Sequence, residues 1–336
     1  MIYIIGVSGS KIKMGLNKFS SFTFTSDLNK SSAKLEKKNL NDVSVDFLHW
    51  FSGFTDAEGS FLISIDRNYV RFRFKISLHI DDIETLKTIK SKLNIGIIVI
   101  EKSRNRCSYV IQDFTEIKYV ICAIFNQYFL HTSKRLDFED FYKAVLIKDR
   151  AGVKNKLSGV NKERIINLKN GMNSKRENYK YSITESQIKI NPNWLIGFIE
   201  GEGTFGIKTG STVYLQVAQK NTSQPCLNTI VSFLTSLGSN LKPDSKILPL
   251  NIVNTVNAKT SVTSLVITNV DALYYYILPL LDSHTMYTYK STSFKLWRLA
   301  LILKIQGYYL LPEGKRLFLD VSAILNQIYS TSPIEM

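Results

Sequence analysis

From Ser60 to Leu78 apolar and polar positions alternate with few interruptions. Phe61, Ile63, Ile65, Phe72, Phe74, Ile76 and Leu78 fall on one side of the ladder, and Ser60, Ser64, Arg71, Arg73, Lys75 and Ser77 fall on the other. A period of two predicts strands at 60–66 and 70–78, with one face turned to a core and the other polar and basic. The period then becomes helical in "DDIETLKTIKSKL" (81–93). Strands are predicted around 95–101 and 106–113, followed by helices around 115–128 and 135–148. Ahead of the hairpin, "WFSGFTDAEGSF" (50–61) reads as a helix that ends near Ala57.

The same order returns after "WLIGFIEGEGTF" (194–205). Strands are expected near 203–208 and 212–219, a helix from Pro225 to Leu237, strands near 240–253 and 261–268, and helices near 271–281 and 291–305. The class is therefore α+β, built from two pseudo-symmetric αββαββα repeats with antiparallel sheets. The boundaries read as a mobile basic arm over 1–45, a first repeat over 46–148, a linker over 149–191 and a second repeat over 192–330. "NKERIINLKNGMN" (161–173) and "EGKRLFLDVSAILNQ" (313–327) follow the last helix of each half, so this appendage looks duplicated too.

Trp50 and Trp194, Gly53 and Gly197, Glu58 and Glu202, and Gly59 and Gly203 all recur at one offset, 144 residues. On a helix Gly53 and Ala57 share a face, as do Gly197 and Gly201, so two backbones can approach closely there. Gly59 and Gly203 stand where a helix commonly closes with a left-handed residue. Glu58 and Glu202 are then the last side chains before the stop, among unpaired carbonyls at the negative end of the helix dipole. A carboxylate there calls for a cation. If the two helices pack side by side, both acids meet at the pseudo-twofold axis beside the carbonyls of Ala57 and Gly201, and such hard oxygen ligands suit Mg²⁺. Two such carboxylates facing a phosphodiester can hold metals that activate water.

Composition narrows the partner. Lys+Arg 43 against Asp+Glu 28 gives a formal charge of +15 over 336 residues, which implies a polyanion. Basic residues at three successive outward positions, Arg71, Arg73 and Lys75, with Ser77 beyond them, suit a surface laid against DNA. Lys208, Tyr214 and Gln216 are a milder counterpart in the second half. Cys107, Cys122 and Cys226 are isolated, so neither a disulfide framework nor a zinc site is expected. The apolar run "LYYYILPLL" from Leu273 has half the roughly 20 residues of a membrane span, and no membrane partner is expected. The first arginine is Arg67, which matches a cleaved mitochondrial presequence poorly.

"FSGFTDAEG" and "LIGFIEGEG" resemble the two signature motifs of the LAGLIDADG homing endonucleases in their single-chain, two-repeat form. The resemblance covers roughly residues 46–330. It implies a DNA-binding saddle of two sheets, an interface made by the motif helices, and Mg²⁺-dependent double-strand cleavage across the minor groove, with Mn²⁺ or Ca²⁺ as alternative occupants of the same sites. The metal-binding acid of the motif carries over to Glu58 and Glu202, while Asp56 and Glu200 correspond to positions that serve helix packing or capping. Gln219 matches a glutamine that orders active-site water, with Leu78 at the corresponding place in the first half. Lys134 and Lys290 match basic residues near the scissile phosphates. The resemblance further implies a monomer acting on double-stranded DNA of roughly 20 base pairs, about one turn per sheet. The alternative within the family is an RNA maturase that binds its host intron. Together with the Asn, Ile, Lys and Tyr bias, the resemblance suggests an organelle-encoded, mitochondrial protein.

Overall fold

The computed structural model describes residues 42–153, 155–177, 179, 184–208, 211–239, 253–257 and 260–331. The arm expected over 1–45 lies, up to residue 41, outside the described residues, as does most of the strand expected over 240–253. The first repeat runs α1 (Val45–Glu58), β1 (Gly59–Asp66), β2 (Tyr69–His79), α2 (Ile83–Leu93), β3 (Ile97–Glu101) and β4 (Arg106–Ile111). A rod follows in which α3 (Phe114–Glu116) and α4 (Cys122–Gln127) flank a π turn over Ile117–Ile121, and then come α5 (Lys134–Arg150) and α6 (Gly159–Asn170). The second repeats the order with α7 (Pro192–Glu202), β5 (Gly203–Lys208), β6 (Thr212–Lys220), α8 (Gln224–Ser239), β7 (Val253–Asn257) and β8 (Val262–Ile267). Its rod is α9 (Val270–Ala272), a π turn at Leu273–Ile277 and α10 (Leu278–Asp282), followed by α11 (Lys290–Ile305) and α12 (Pro312–Thr331). Even the π turn is duplicated.

Each half forms one antiparallel sheet, ordered β1-β2-β4-β3 and β5-β6-β8-β7. Register fixes the faces. Phe61 pairs Phe74 and Ile63 pairs Phe72 on the core side, while Ser60 pairs Lys75 and Ser64 pairs Arg71 on the other. Phe61, Phe74, Phe125, Phe138 and Phe141 form one aromatic cluster with centroids 5.3–5.8 Å apart, which ties the sheet to the rod and to α5. The second core is less aromatic, with Phe205 packed on Phe294 and Trp297.

α1 starts on Ser44, whose Oγ accepts the amide of Phe47, and α7 on Asn191, with Pro192 at its first position. They cross through their glycine faces. A Cβ on Gly53 would collide with the carbonyl oxygen of Trp194, and one on Gly197 with that of Trp50. Close approach is therefore compulsory, as the spacing predicts.

Two expectations are corrected. Gly59 and Gly203 are not left-handed: their φ/ψ values, −74°/152° and −79°/151°, are extended and open to any residue. Space demands the glycine instead, since a Cβ at Gly59 would lie 2.5 Å from Thr55 Cγ2, and one at Gly203 would lie 2.5 Å from the carbonyl oxygen of Ile199. The chain passes directly from helix to strand, and the first strand residue grazes the last helical turn. The segment expected as a linker also proves attached to the first repeat. Leu157 donates its amide to Asn68 O, Lys162 reaches Asn68 Oδ1, and Asn173 Nδ2 donates to Phe61 O. Arg176 bridges Asp137 and Asp140 of α5 at 3.0 and 2.7 Å. α6 packs on α5 and β1 as α12 packs on α11 and β5, so the appendage is duplicated in space as in sequence.

Candidate active site at the helix seam

Glu58 and Glu202 end the two motif helices on the same side of the seam. The Glu58 carboxyl lies against Gly201, where a Cβ would stand 3.4 Å from its Oε1. Each acid feels the other's helix end and both lysines. Burial raises the pKa of Glu58, Asp82 raises it further, and Lys134 and Lys290 oppose both. Glu202 is pushed up to about 7, first by burial and then by the charge of Glu58, against the two lysines and Gln219. The lysines shift the other way: burial lowers both, and the carboxylates pull them back. Two acids and two ammonium groups thus share a poorly hydrated space in which no charge is comfortable alone.

The lysines sit at the helix ends. Lys134 Nζ donates to Thr55 O at 3.1 Å and Ala57 O at 2.9 Å, and Lys290 Nζ donates to Gly201 O at 3.1 Å and Gly203 O at 2.6 Å. Ala57 O and Gly201 O are carbonyls that a terminating helix leaves orphaned, and the ammonium groups satisfy them and neutralise the helix's negative pole. The carbonyls of Ala57 and Gly201 therefore each hold an ammonium group, with a second lone pair left to accept a cation.

The halves differ beside the acids. Gln219 Nε2 donates to Glu202 Oε1 at 2.7 Å, whereas the register-equivalent Leu78 offers Glu58 nothing. Glu58 instead opens on a cleft of about 750 Å³ shared with Ser77, His79, Asp82, Arg106 and Lys290.

Asp56 and Glu200 are buried and bonded to other partners, with Glu200 also bordering this cleft. Asp56 accepts the amides of His131 and Thr132, the Thr132 hydroxyl, and the indole N–H of Trp194 at 3.1 Å. Glu200 accepts the amides of Tyr287 and Thr288, the Thr288 hydroxyl, and the indole N–H of Trp50. Each of these two acids anchors the turn that delivers its own repeat's lysine and binds the tryptophan of the other repeat. Burial raises both pKa values, that of Glu200 to about 7, with its hydrogen bonds pulling it down. Packing and capping is their observed role. The recurrence of Trp50 and Trp194 at the motif offset was the visible signal for this crossing, and its reason appears only in the fold.

A second crossing had no sequence signal. Asp82 Oδ1 accepts the amide of Tyr289 at 2.7 Å, capping α11 of the other repeat, and Ser223 Oγ accepts the amide of Ser133 at 3.1 Å, capping α5. The lysine-bearing helix of each half is thus held by the other half.

The basic positions lie on the sheet face away from the core. Arg71, Arg73 and Lys208 are exposed and Lys75 half-buried; Ser77 pairs its hydroxyl with Ser108 at 3.0 Å. Tyr214 lies across Gly206 with Lys208 Nζ 5.1 Å above its ring, and Gln216 stands beside them. Among the described residues no helix is long and apolar enough to cross a membrane, and no cluster of three or more His, Cys, Asp or Glu side chains forms a metal cage. The oxygen set available at the seam is the two glutamates with the neighbouring carbonyls.

Two sheet-bearing repeats joined by a glycine-faced helix pair that ends in two acids define a single-chain, two-repeat LAGLIDADG protein. A family model described as LAGLIDADG endonuclease matches residues 51–145 and 195–301, more than half of the chain, and the chain belongs to that family. It is 28% identical over 327 residues to the uncharacterized mitochondrial protein RF1 of Saccharomyces cerevisiae, an alignment covering 90% of this chain and 66% of that protein. It is 31% identical over 226 residues to the probable intron-encoded endonuclease Cox1-I1b of Schizosaccharomyces pombe, covering 64% of this chain and 56% of that protein. The chain thus spans less than two thirds of the length of these relatives. Among solved structures it resembles the homing endonuclease I-GzeII in complex with its DNA target, with a TM-score of 0.66 and 25% identity over 82% of this chain and 96% of that one. It shares its fold with I-LtrWI bound to target DNA, at a TM-score of 0.68 and 21% identity over 83% of this chain and 97% of that one.

Proposed function

We propose that this chain is a site-specific, metal-dependent endonuclease that cleaves both strands of a DNA duplex. The observation that carries the reading is the pairing of Glu58 with Glu202 at the ends of two crossed helices, between a first sheet with a basic outward face and a second with a polar one that carries Lys208. Glu58, Glu202 and the carbonyls of Ala57 and Gly201 are the groups that would hold divalent cations, and the all-oxygen character of the set fits Mg²⁺, with Mn²⁺ or Ca²⁺ as substitutes. Mg²⁺ bound there supplies charge stabilisation at the attacked phosphate and acidifies a water. I-SmaMI, which shares this fold, is bound to its uncleaved DNA target in the presence of calcium ions, which supports a divalent cation here.

The chain's own residues do the rest. Gln219 fixes the Glu202 carboxylate in one orientation, which limits how the acid can turn towards a ligand. Lys134 and Lys290 hold positive charge where phosphates would approach and trade their carbonyl bonds for them. Arg71, Arg73, Lys75, Ser77, Lys208, Tyr214 and Gln216 face outward to contact bases and backbone of a target of about 20 base pairs, about ten per sheet. The two repeats complete the site within one chain, so a monomer suffices. The relatives' names favour an intron-encoded protein of mitochondrial origin. Both acids are present and the similar proteins are called endonucleases, which favours cleavage over an RNA-splicing role.

The test is selection of cleaved duplexes from a randomised library with Mg²⁺, followed by Glu58→Gln and Glu202→Gln. Each variant is expected to keep DNA affinity within a few-fold and to lose cleavage by about a hundredfold or more. Undiminished cutting by either variant would remove its acid from the site.

A further inference from the structure

The face of the first sheet that carries the arginines is not uniformly polar. Register places its outward residues in rows, each crossing the strands. Outward from the seam these are His79–Arg106–Glu101, then Ser77–Ser108–Val99, then Ser60–Lys75–Val110–Ile97, then Leu62–Arg73, Ser64–Arg71 and Asp66–Tyr69. The second and third rows hold an apolar strip. Ile97 is 55% exposed and Val99 39%, and Val110, directly paired with Ile97, is buried beneath its neighbours without belonging to the hydrophobic core. Ile98, between them, points the other way and packs on the core. Ile98 is the residue of β3 that the core takes; Ile100, on the same side, stays 48% exposed, and Ile97 and Val99 face away from the core.

Such residues on an edge strand are a liability unless something covers them. Cations border this strip, with Lys75 in its own row, Arg73 in the next row out and Arg106 in the row nearest the seam. A polyanion is therefore the occupant that the charges admit. The apolar group that a DNA duplex presents on its sequence-reading side is the C5-methyl of thymine in the major groove, a groove that accepts a two-stranded ribbon.

We infer that Ile97 and Val99, seated on Val110, form a thymine-methyl reader that makes the first repeat select T·A pairs in the inner part of its half-site. The inference rests on the DNA-cleavage reading above. Rows two residues apart lie about 6.8 Å from one another, about two base-pair steps at 3.4 Å each. The second and third rows from the seam therefore address base pairs within about six of the centre. The arginine rows address the outer ones, where bidentate contacts to guanine are the natural match. In the second sheet the register positions of Ile97 and Val99 are taken by Val253 and Thr255, so the aliphatic pair is larger in the first repeat.

The test removes the methyl and nothing else. In the duplex recovered from the cleavage selection, each thymidine is replaced singly by deoxyuridine, and binding and cleavage are measured for the full chain and for Ile97→Ser and Val99→Ser, which present no methyl group. One or two inner positions on the first-repeat side are expected to lose about fourfold in affinity per methyl, as burial of one methyl group implies. That loss should vanish in the variants, which should bind the uridine duplex as the unaltered chain does. Both sites are exposed edge positions, and unchanged affinity for unrelated DNA shows that the variants fold. Equal tolerance of uridine at every position, or a loss that persists in both variants, overturns the inference and leaves the endonuclease reading standing. A chain that selects no duplex overturns both.

Discussion

Trp194 donates its indole N–H across the seam to Asp56, 3.1 Å away, while Trp50 makes the reciprocal bond to Glu200. Each acid takes three hydrogen bonds from its own repeat and a fourth from the other. Trp194→Phe keeps the ring stack on Phe198 but deletes the donor, and it is expected to cost about 1–3 kcal/mol in urea unfolding. Trp194→Phe combined with Asp56→Asn should cost less than the sum of the two single changes, because the first already empties the bond. Strict additivity in the double-mutant cycle would show that the bond carries no energy.

Glycines of two kinds should separate cleanly. Gly197→Ala drives a methyl into the Trp50 carbonyl and forces the helices apart, with an expected cost of more than about 3 kcal/mol or failure to fold. Gly307 has a φ of +75° and nothing within 4 Å of a built Cβ, so Gly307→Ala should cost only the left-handed strain of about 1–2 kcal/mol. Melting of the two purified variants decides.

His131 gives an acid limb to stability. Its ring packs at a tilt against Trp194 with centroids 4.8 Å apart, and its Nδ1 is buried without a hydrogen-bond partner. Burial lowers its pKa, against the opposing charge of Asp56 and with Arg135 and His49 adding to the lowering. A histidine depressed in the fold takes up its proton preferentially when unfolded. Its contribution is fully present above the unfolded value of about 6.5 and is lost as pH falls from there through the folded value. His131→Phe should flatten that limb below about pH 6.5, read from denaturant midpoints across the acid range.

The Gln219–Glu202 bond should be worth about tenfold in cleavage rate at neutral pH, or about 1.4 kcal/mol. Gln219→Leu imitates the first half, where Leu78 stands. Without the amide the Glu202 pKa rises beyond about 7, so ionisation needs higher pH and the deficit should be larger at pH 6.5 than at pH 8.5. Single-turnover rates on a bound duplex give the profile, and a deficit independent of pH would mean that Gln219 acts on something other than the Glu202 charge.

Much of this was legible from spacing. Alternation over 60–78 gave the hairpin to within a residue or two, and the offset of 144 gave the repeat, because period and recurrence are local properties of a chain. The glycine faces were readable as close approach for the same reason. What failed was conformation at a junction: Gly59 and Gly203 look like left-handed helix ends, but the chain enters a strand directly, and only neighbouring atoms reveal why a side chain is excluded. The segment after Arg150 reads as a linker because its polarity hides few apolar anchors, Leu157 and Ile165 among them. Asp82 and Ser223 share no identity or pattern, and their equivalence exists only once two sheets are superposed in register.

Those two caps bear on how such a protein can change. Asp82 and Ser223 let each half hold the start of its sibling's lysine helix, so neither half can be exchanged for a foreign one without also importing the matching cap. Retargeting by recombination is thereby confined to grafts that carry both partners of a cap, whereas drift in the outward strand residues stays unconstrained. The duplication that made one polypeptide out of two copies thus bound their evolutionary fates while leaving their reading surfaces at liberty to diverge.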